Sequence, residues 1–188
     1  MTPTLLLASQ SPRRRELLGR LGFPLRIVEV QADETLTSPR PADRVAEAIA
    51  CRKAEAYTQP LADNEVLVTA DTVVVHNDQV LGKPRTREEA LAMLHSLSDD
   101  SHHVYTGVCL RSAYRQSSFS ECTLVHFRPL SNDDIQYYVD TFRPYDKAGA
   151  YGIQEWIGMV GIDHIDGCYY NVMGLPTTRL YQELKKGF

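Results

Sequence analysis

Cysteine is scarce in this chain and none of it is patterned: Cys51, Cys109, Cys122 and Cys168 lie scattered through 188 residues, with no CxxC pair and no histidine at zinc-finger spacing. A disulfide framework and structural zinc are both poorly supported, and four reduced thiols in a cytosolic protein are the expectation. Positive charge is not in excess either, since 20 Lys and Arg against 24 Asp and Glu leave a formal charge of -4. That balance argues against a general polyanion-binding surface and hence against nucleic acid as a partner, while leaving room for a small basic pocket. No apolar run approaches the length of a membrane span, and the N-terminus lacks a charged region followed by an apolar one and a cleavage site. The expected location is therefore the cytoplasm, away from the membrane. HExxH, GxSxG, Walker A and GxGxxG motifs are all missing, as are repeats and low-complexity tracts. The six histidines show no ligand spacing and read as surface or satisfied structural residues.

What is present suits one globular domain over residues 1–188, with room for two lobes: 43% hydrophobic residues and 23% charged ones. The stretch from Val66 to Val75 reads as a buried strand interrupted by one carboxylate, Asp71. A carboxylate there is costly unless a cation or hydrogen-bond donor meets it. A structural ion pair and a functional site are equally open at this point.

Around that strand the periodicity predicts strands at Thr4–Ala8 and Leu25–Val30, then a helix over Asp43–Tyr57. A helix capped by Thr86 follows, then two hairpin strands at His103–Arg111 and Ser117–Phe127. Ser131 caps the next helix, a final hairpin is expected around Asp166 and Gly167, and a helix over Thr177–Lys186 closes the chain. Thr106-Gly107 signals a bulge or a close backbone approach. Between the first strand and the helix opening at Pro12 lie Ser9, Gln10 and Ser11, followed by Arg13, Arg14 and Arg15. A small-residue turn into a helix N-terminus bearing arginine is suited to phosphate. Three consecutive arginines point about 100° apart, so Arg13, nearest the turn, is the best candidate among them.

The remaining charged residues that stand out are Lys53 on the edge of its helix's apolar stripe, Lys83 in the turn Gly82-Lys83-Pro84, and the loop carboxylates Asp33 and Glu34. Lys53 either snorkels from the core or points into a cleft. Gly149 and Gly152 in DKAGAYGIQ allow a backbone path close to a ligand. No nucleophile set accompanies these groups. Carboxylates with three spaced cations are what phosphoanhydride cleavage requires: oxygen ligands for Mg2+ and positive charge for phosphates.

At these residues the sequence resembles the Maf nucleoside triphosphate pyrophosphatases. The resemblance rests on LLASQSPRRRELL at 5–18, VTADTVVV at 68–75, VLGKP at 80–84, DKAGAYGIQ at 146–154 and NVMGLP at 171–176, in the family's order. It implies an elongated α/β fold around a mixed twisted sheet flanked by helices, with two lobes and a central cleft. It also implies a cytoplasmic homodimer that converts a nucleoside triphosphate to the monophosphate and pyrophosphate with a divalent cation, Mg2+ or Mn2+. Carried over by position, Asp71 and Glu34 are similar to the family's metal ligands, Asp71 as ligand alone or as ligand and base. Arg13, Lys53 and Lys83 match its phosphate-binding cations, with Ser9 in the phosphate turn. The DKAGAYGIQ version resembles the subgroup that prefers dTTP and UTP, with Thr72 and Gln154 at its base-selecting positions. A glutamine amide offers the donor and acceptor that suit the O4 and N3–H edge of these bases. The chain departs from the family pattern at Glu155, followed by Trp156, where many members have a glycine. Two other readings stay open: a non-catalytic nucleotide-binding regulator of septum formation, and a house-cleaning pyrophosphatase for modified purine or pyrimidine triphosphates.

Overall fold

Unbroken apolar runs set the architecture, because strands covered on both faces pair in parallel. The structure, a computed structural model, describes residues 2–32 and 41–188. Strand β1 (Thr4–Leu7) pairs in parallel with β2 (Leu25–Ile27) and with β3 (Glu65–His76), in the register Leu5 to Val66 and Leu7 to Val68. Leu5, Leu6, Leu7, Leu67 and Val68 are all fully buried. β3 turns back through Asn77 and Asp78, both at positive φ, into β4 (Gln79–Leu81), its antiparallel partner. The long strands β5 (Ser101–Arg111) and β6 (Gln116–Phe127) meet at a turn closed by the Ser112 N–H and the Arg115 carbonyl. With β7 (Ile162–Asp166) antiparallel to β6, the seven strands of the described residues form one mixed sheet in the order β2-β1-β3-β5-β6-β7, β4 lying off β3. The helices are α1 (Pro12–Gly19), α2 (Ala42–Ala56), α3 (Arg87–Leu97), α4 (Asn132–Phe142), α5 (Trp156–Gly161), α6 (Tyr169–Met173) and α7 (Thr177–Lys185). The expected α/β class, a mixed sheet with flanking helices, is the one observed.

The chain divides into two compact units. The first holds Met1–Asp71, Thr106–Glu121 and Gly174–Phe188, and the second holds Thr72–Tyr105 and Cys122–Met173. In the first, Leu6, Ala8, Leu67 and Cys109 pack with Ala50, Ala54 and Tyr57 of α2 and its C-terminal end. The close approach expected at Thr106-Gly107 is real and belongs here: a Cβ on Gly107 would lie 2.2 Å from the Glu47 backbone nitrogen. Hydrogen in place of a side chain is what lets α2 rest on β5.

In the second unit, Val74, Leu94, Leu97, Val104, Phe127, Ile135, Tyr138 and Tyr151 build the core. Inside it the His102 Nε2 and the Tyr151 hydroxyl are 2.6 Å apart, while the His102 Nδ1 is buried with no hydrogen-bond partner among the described residues. An imidazolium must donate from both nitrogens, so burial, with like charge from His76 and His103, lowers the His102 pKa from 6.5 to about 3. The unfolded chain thus binds a proton that the folded one refuses, and the stability contributed by neutral His102 is intact above 6.5 and lost as pH falls toward 3. The unfolding free energy should drop by about 1.4 kcal/mol per pH unit across that window. Urea titrations at several pH values, wild type against His102→Gln, measure it, and an unchanged slope in the variant would refute the assignment.

Two expectations fail. The strand expected to run to Val30 ends at Ile27: the Val28 N–H still reaches the Leu7 carbonyl at 3.0 Å, and the chain then leaves the sheet. The final hairpin is half wrong, since β7 forms but its return strand is helix α6. Only Asn171 of that helix is buried, and its Nδ2 donates to the Val104 carbonyl and the Thr123 Oγ1, both at 3.0 Å. The Cys168 N–H goes to the Thr123 Oγ1, not to a ladder, and Tyr169 and Tyr170 face outward. One anchored polar residue per helical turn has replaced the alternation a strand needs.

Candidate active site

Thr69 and Asp71 are two apart on β3 and therefore share a face. They meet α2 at residues three apart. The Thr69 hydroxyl donates to the Ala50 carbonyl at 2.6 Å, and the Lys53 Nζ donates to the Asp71 Oδ1 at 2.8 Å. Both members of that ion pair keep 15% of their side-chain surface exposed, enough for a small group to reach them. Lys53 sits in the last turn of α2, where the helix dipole favours a cation. The costly carboxylate of the valine-rich strand has found its cation, and both had been singled out as site candidates.

On the same unit, β1 delivers the phosphate-type turn beside β3, because the Ala8 N–H donates to the Val68 carbonyl at 3.0 Å. Ser9 follows at once, its Oγ accepting from the Ser11 N–H at 3.2 Å. Ser11 is the N-cap of α1, accepting from the Arg14 N–H, with Pro12 in the first turn. Arg13, partly buried, lies in that first turn. Arg14 has a structural duty instead: its Nε donates to the Gly174 carbonyl at 2.8 Å, joining the first family block to the last.

Two other blocks and the Thr72–Val75 end of a third converge within the second unit. The Gly149 N–H donates to the Gly82 carbonyl at 3.1 Å, tying the turn that carries exposed Lys83 to the glycine-rich segment. Gly149 has φ +68, and a Cβ there would stand 3.1 Å from the Val74 side chain, two residues beyond Thr72 on β3. Only glycine fits both conditions. Gln154 follows in the same segment, its Oε1 buried and without a hydrogen-bond partner among the described residues.

Beside Gln154 is a group the sequence reading passed over. Lys147, 8% exposed, lies 2.6 Å from the Asp146 Oδ1 and 3.1 Å from the Glu155 Oε1. The Tyr138 hydroxyl donates to the Glu155 Oε2 and accepts from the Gly152 N–H. Burial and the adjoining Glu155 carboxylate push the Tyr138 phenol far above its ordinary range. The one available signal was a lysine directly after Asp146 at the head of a glycine- and alanine-rich segment.

Asp71, Lys53, Arg13 and Ser9 thus belong to the first unit, and Thr72, Lys83 and Gln154 to the second. Glu34, with Asp33, lies outside the described residues. Among the described residues no group of three or more His, Cys, Asp or Glu could hold a metal ion. No helix of the described residues is long and apolar enough to cross a membrane.

Known proteins resemble this chain along almost its whole length. A dTTP/UTP pyrophosphatase of Parabacteroides distasonis is 50% identical over 183 residues, covering 96% of this chain and 94% of that protein. One of Bacteroides thetaiotaomicron is 48% identical, with 97% and 95% covered. The solved structure of the Staphylococcus aureus Ham1 protein has only 15% identity but a TM-score of 0.52, covering 96% of this chain and 99% of that one, which marks a shared fold. The family model described as Maf-like protein matches residues 4–187. This chain belongs to the Maf family.

Proposed function

We infer that this chain is a nucleoside triphosphate pyrophosphatase that cleaves dTTP and UTP to the monophosphate and pyrophosphate. The observation carrying this reading is near-half identity, along almost the whole chain, to relatives named for that activity. The site chemistry supports it. Asp71 and Glu34 supply the carboxylates that hold a divalent cation, Mg2+ or Mn2+. What such a cation supplies there is charge neutralisation on the phosphate oxygens and acidification of water. Arg13, at the start of α1, meets phosphate oxygens together with the Ser9 turn. Lys53 orients the Asp71 carboxylate and, with Lys83, meets charge that develops as pyrophosphate departs. Thr72 and Gln154 select the base. The working protein is a cytoplasmic homodimer, for which light scattering at twice the chain mass is the check.

Pyrophosphate release from a panel of standard and modified triphosphates, compared with Mg2+, Mn2+ and Co2+, tests the activity. The expected result is metal-dependent turnover with dTTP and UTP ahead. A flat zero across the panel would favour a nucleotide-binding regulator instead. In the same assay Gln154→Ala should lower the dTTP over dCTP ratio of kcat/KM about tenfold, the scale of one well-made hydrogen bond. Equal losses on every nucleotide would remove Gln154 from base selection.

A further inference from the structure

Residues 152–155 form a turn in which the Glu155 N–H donates to the Gly152 carbonyl at 3.0 Å, with Ile153 buried and Gln154 in the third position. Three side chains lock it. Glu155 takes the Lys147 ammonium on one carboxylate oxygen and the Tyr138 hydroxyl on the other, and that hydroxyl receives the Gly152 N–H at 3.0 Å. Backbone and side-chain ends of the turn are therefore held by one network. A Cβ added to Gly152 would stand 3.1 Å from each of the Gln154 Nε2, the Glu155 Cδ and the Lys147 Cε. The Gln154 amide thus packs against the same point as the Glu155–Lys147 pair. Its oxygen is buried and lacks a partner among the described residues, an arrangement that costs free energy unless a donor meets it.

We propose that Glu155 is a positioning residue for base selection: through Lys147 and Tyr138 it fixes the turn that presents the Gln154 amide oxygen to the N3–H donor of uracil or thymine. Cytosine carries an acceptor at that position and would leave the oxygen unsatisfied, so the rigidity of the turn sets the discrimination. The proposal rests on the pyrimidine-triphosphate reading above and adds residues that reading does not use.

Glu155→Gln keeps the volume and removes the charge, while Lys147 retains Asp146 at 2.6 Å. Its dTTP over dCTP ratio of kcat/KM should fall about tenfold, the loss residing in KM for dTTP with kcat within about twofold of wild type. Glu155→Asp should recover part of the ratio, and Tyr138→Phe should lower it in the same direction. Calorimetric binding of dTMP and dCMP to the same preparations gives a readout independent of turnover, and thermal unfolding confirms that each variant is folded. Should Glu155→Gln fail to fold, Glu155→Asp and Tyr138→Phe carry the test. Folded variants with the wild-type ratio in both assays would overturn the proposal, as would a wild type with no preference for dTMP. A wild type that turns over no triphosphate, yet prefers dTMP and loses that preference in the variants, would sink the activity reading and leave the positioning role standing.

Discussion

Asp71→Asn is expected to reduce pyrophosphate release from dTTP by about two to three orders of magnitude, the usual cost of removing one group that meets charge in the transition state. The substitution is nearly isosteric, so β3 keeps its packing, and the Thr69 bond to the Ala50 carbonyl still holds the strand to α2. What disappears is an acceptor-only carboxylate, the donor type a hard divalent cation demands. The Lys53 contact at 2.8 Å weakens at the same time. For a pair with 15% exposure on each side chain, that costs about 1–3 kcal/mol of stability. The two effects separate the two meanings an aspartate in a buried strand can have. If the residue were only half of an ion pair, the variant would lose stability and keep its turnover. Rate and melting temperature measured on one preparation decide the matter, and retention of a large share of the wild-type rate would remove Asp71 from the site.

Gly107→Ala should destabilise the protein strongly. The new Cβ would fall 2.2 Å from the Glu47 nitrogen, 2.3 Å from the Glu47 Cα and 2.4 Å from the Ala46 carbonyl carbon. All three are backbone atoms inside α2, so no side chain can swing aside, and the helix itself must lift from β5. Overpacking of that kind costs about 3 kcal/mol or more, which for a chain of this size lowers the melting temperature by roughly 6–12 °C. Activity should fall further than stability alone explains, because α2 carries Lys53 and the lift draws it from Asp71. Thermal unfolding and pyrophosphate release report both quantities, and a melting temperature within about 2 °C of wild type would show that the contact is softer than the geometry states.

Legibility from sequence followed locality. β1 and β3 could be read because an apolar run with one carboxylate has few other meanings, and α2, α3 and α4 because their apolar stripes, and at α3 and α4 their caps, lie within one helical turn. At α3 the expected Thr86 cap forms, its Oγ1 accepting from the Glu89 N–H, while the Glu89 carboxylate takes the Arg85 N–H. Lys53 and Asp71 were each recognisable as candidates, yet nothing in a separation of 18 residues announces their contact. Helix α6 stayed hidden because its logic is a single asparagine reaching Val104 and Thr123, partners 67 and 48 residues away. Lys147 stayed hidden for the same reason, since what distinguishes it is burial between two carboxylates. The family blocks named candidates for the site but not how they are held.

The bond from Arg14 to the Gly174 carbonyl also bears on how the protein is made. It joins residues 160 apart in the chain, and the unit containing both is built from three separate segments, the last beginning at Gly174. A ribosome adding about 5–20 residues per second needs roughly 8–30 s between those two residues. Throughout that interval the N-terminal segment has Leu5, Leu6 and Leu7 in hand and part of its own unit still unsynthesised, and the second unit becomes complete in sequence only as the interval ends. The first segment of the nascent chain is thus the stretch most dependent on chaperone cover, and the pace of translation from Arg14 to Gly174 sets how long that dependence lasts.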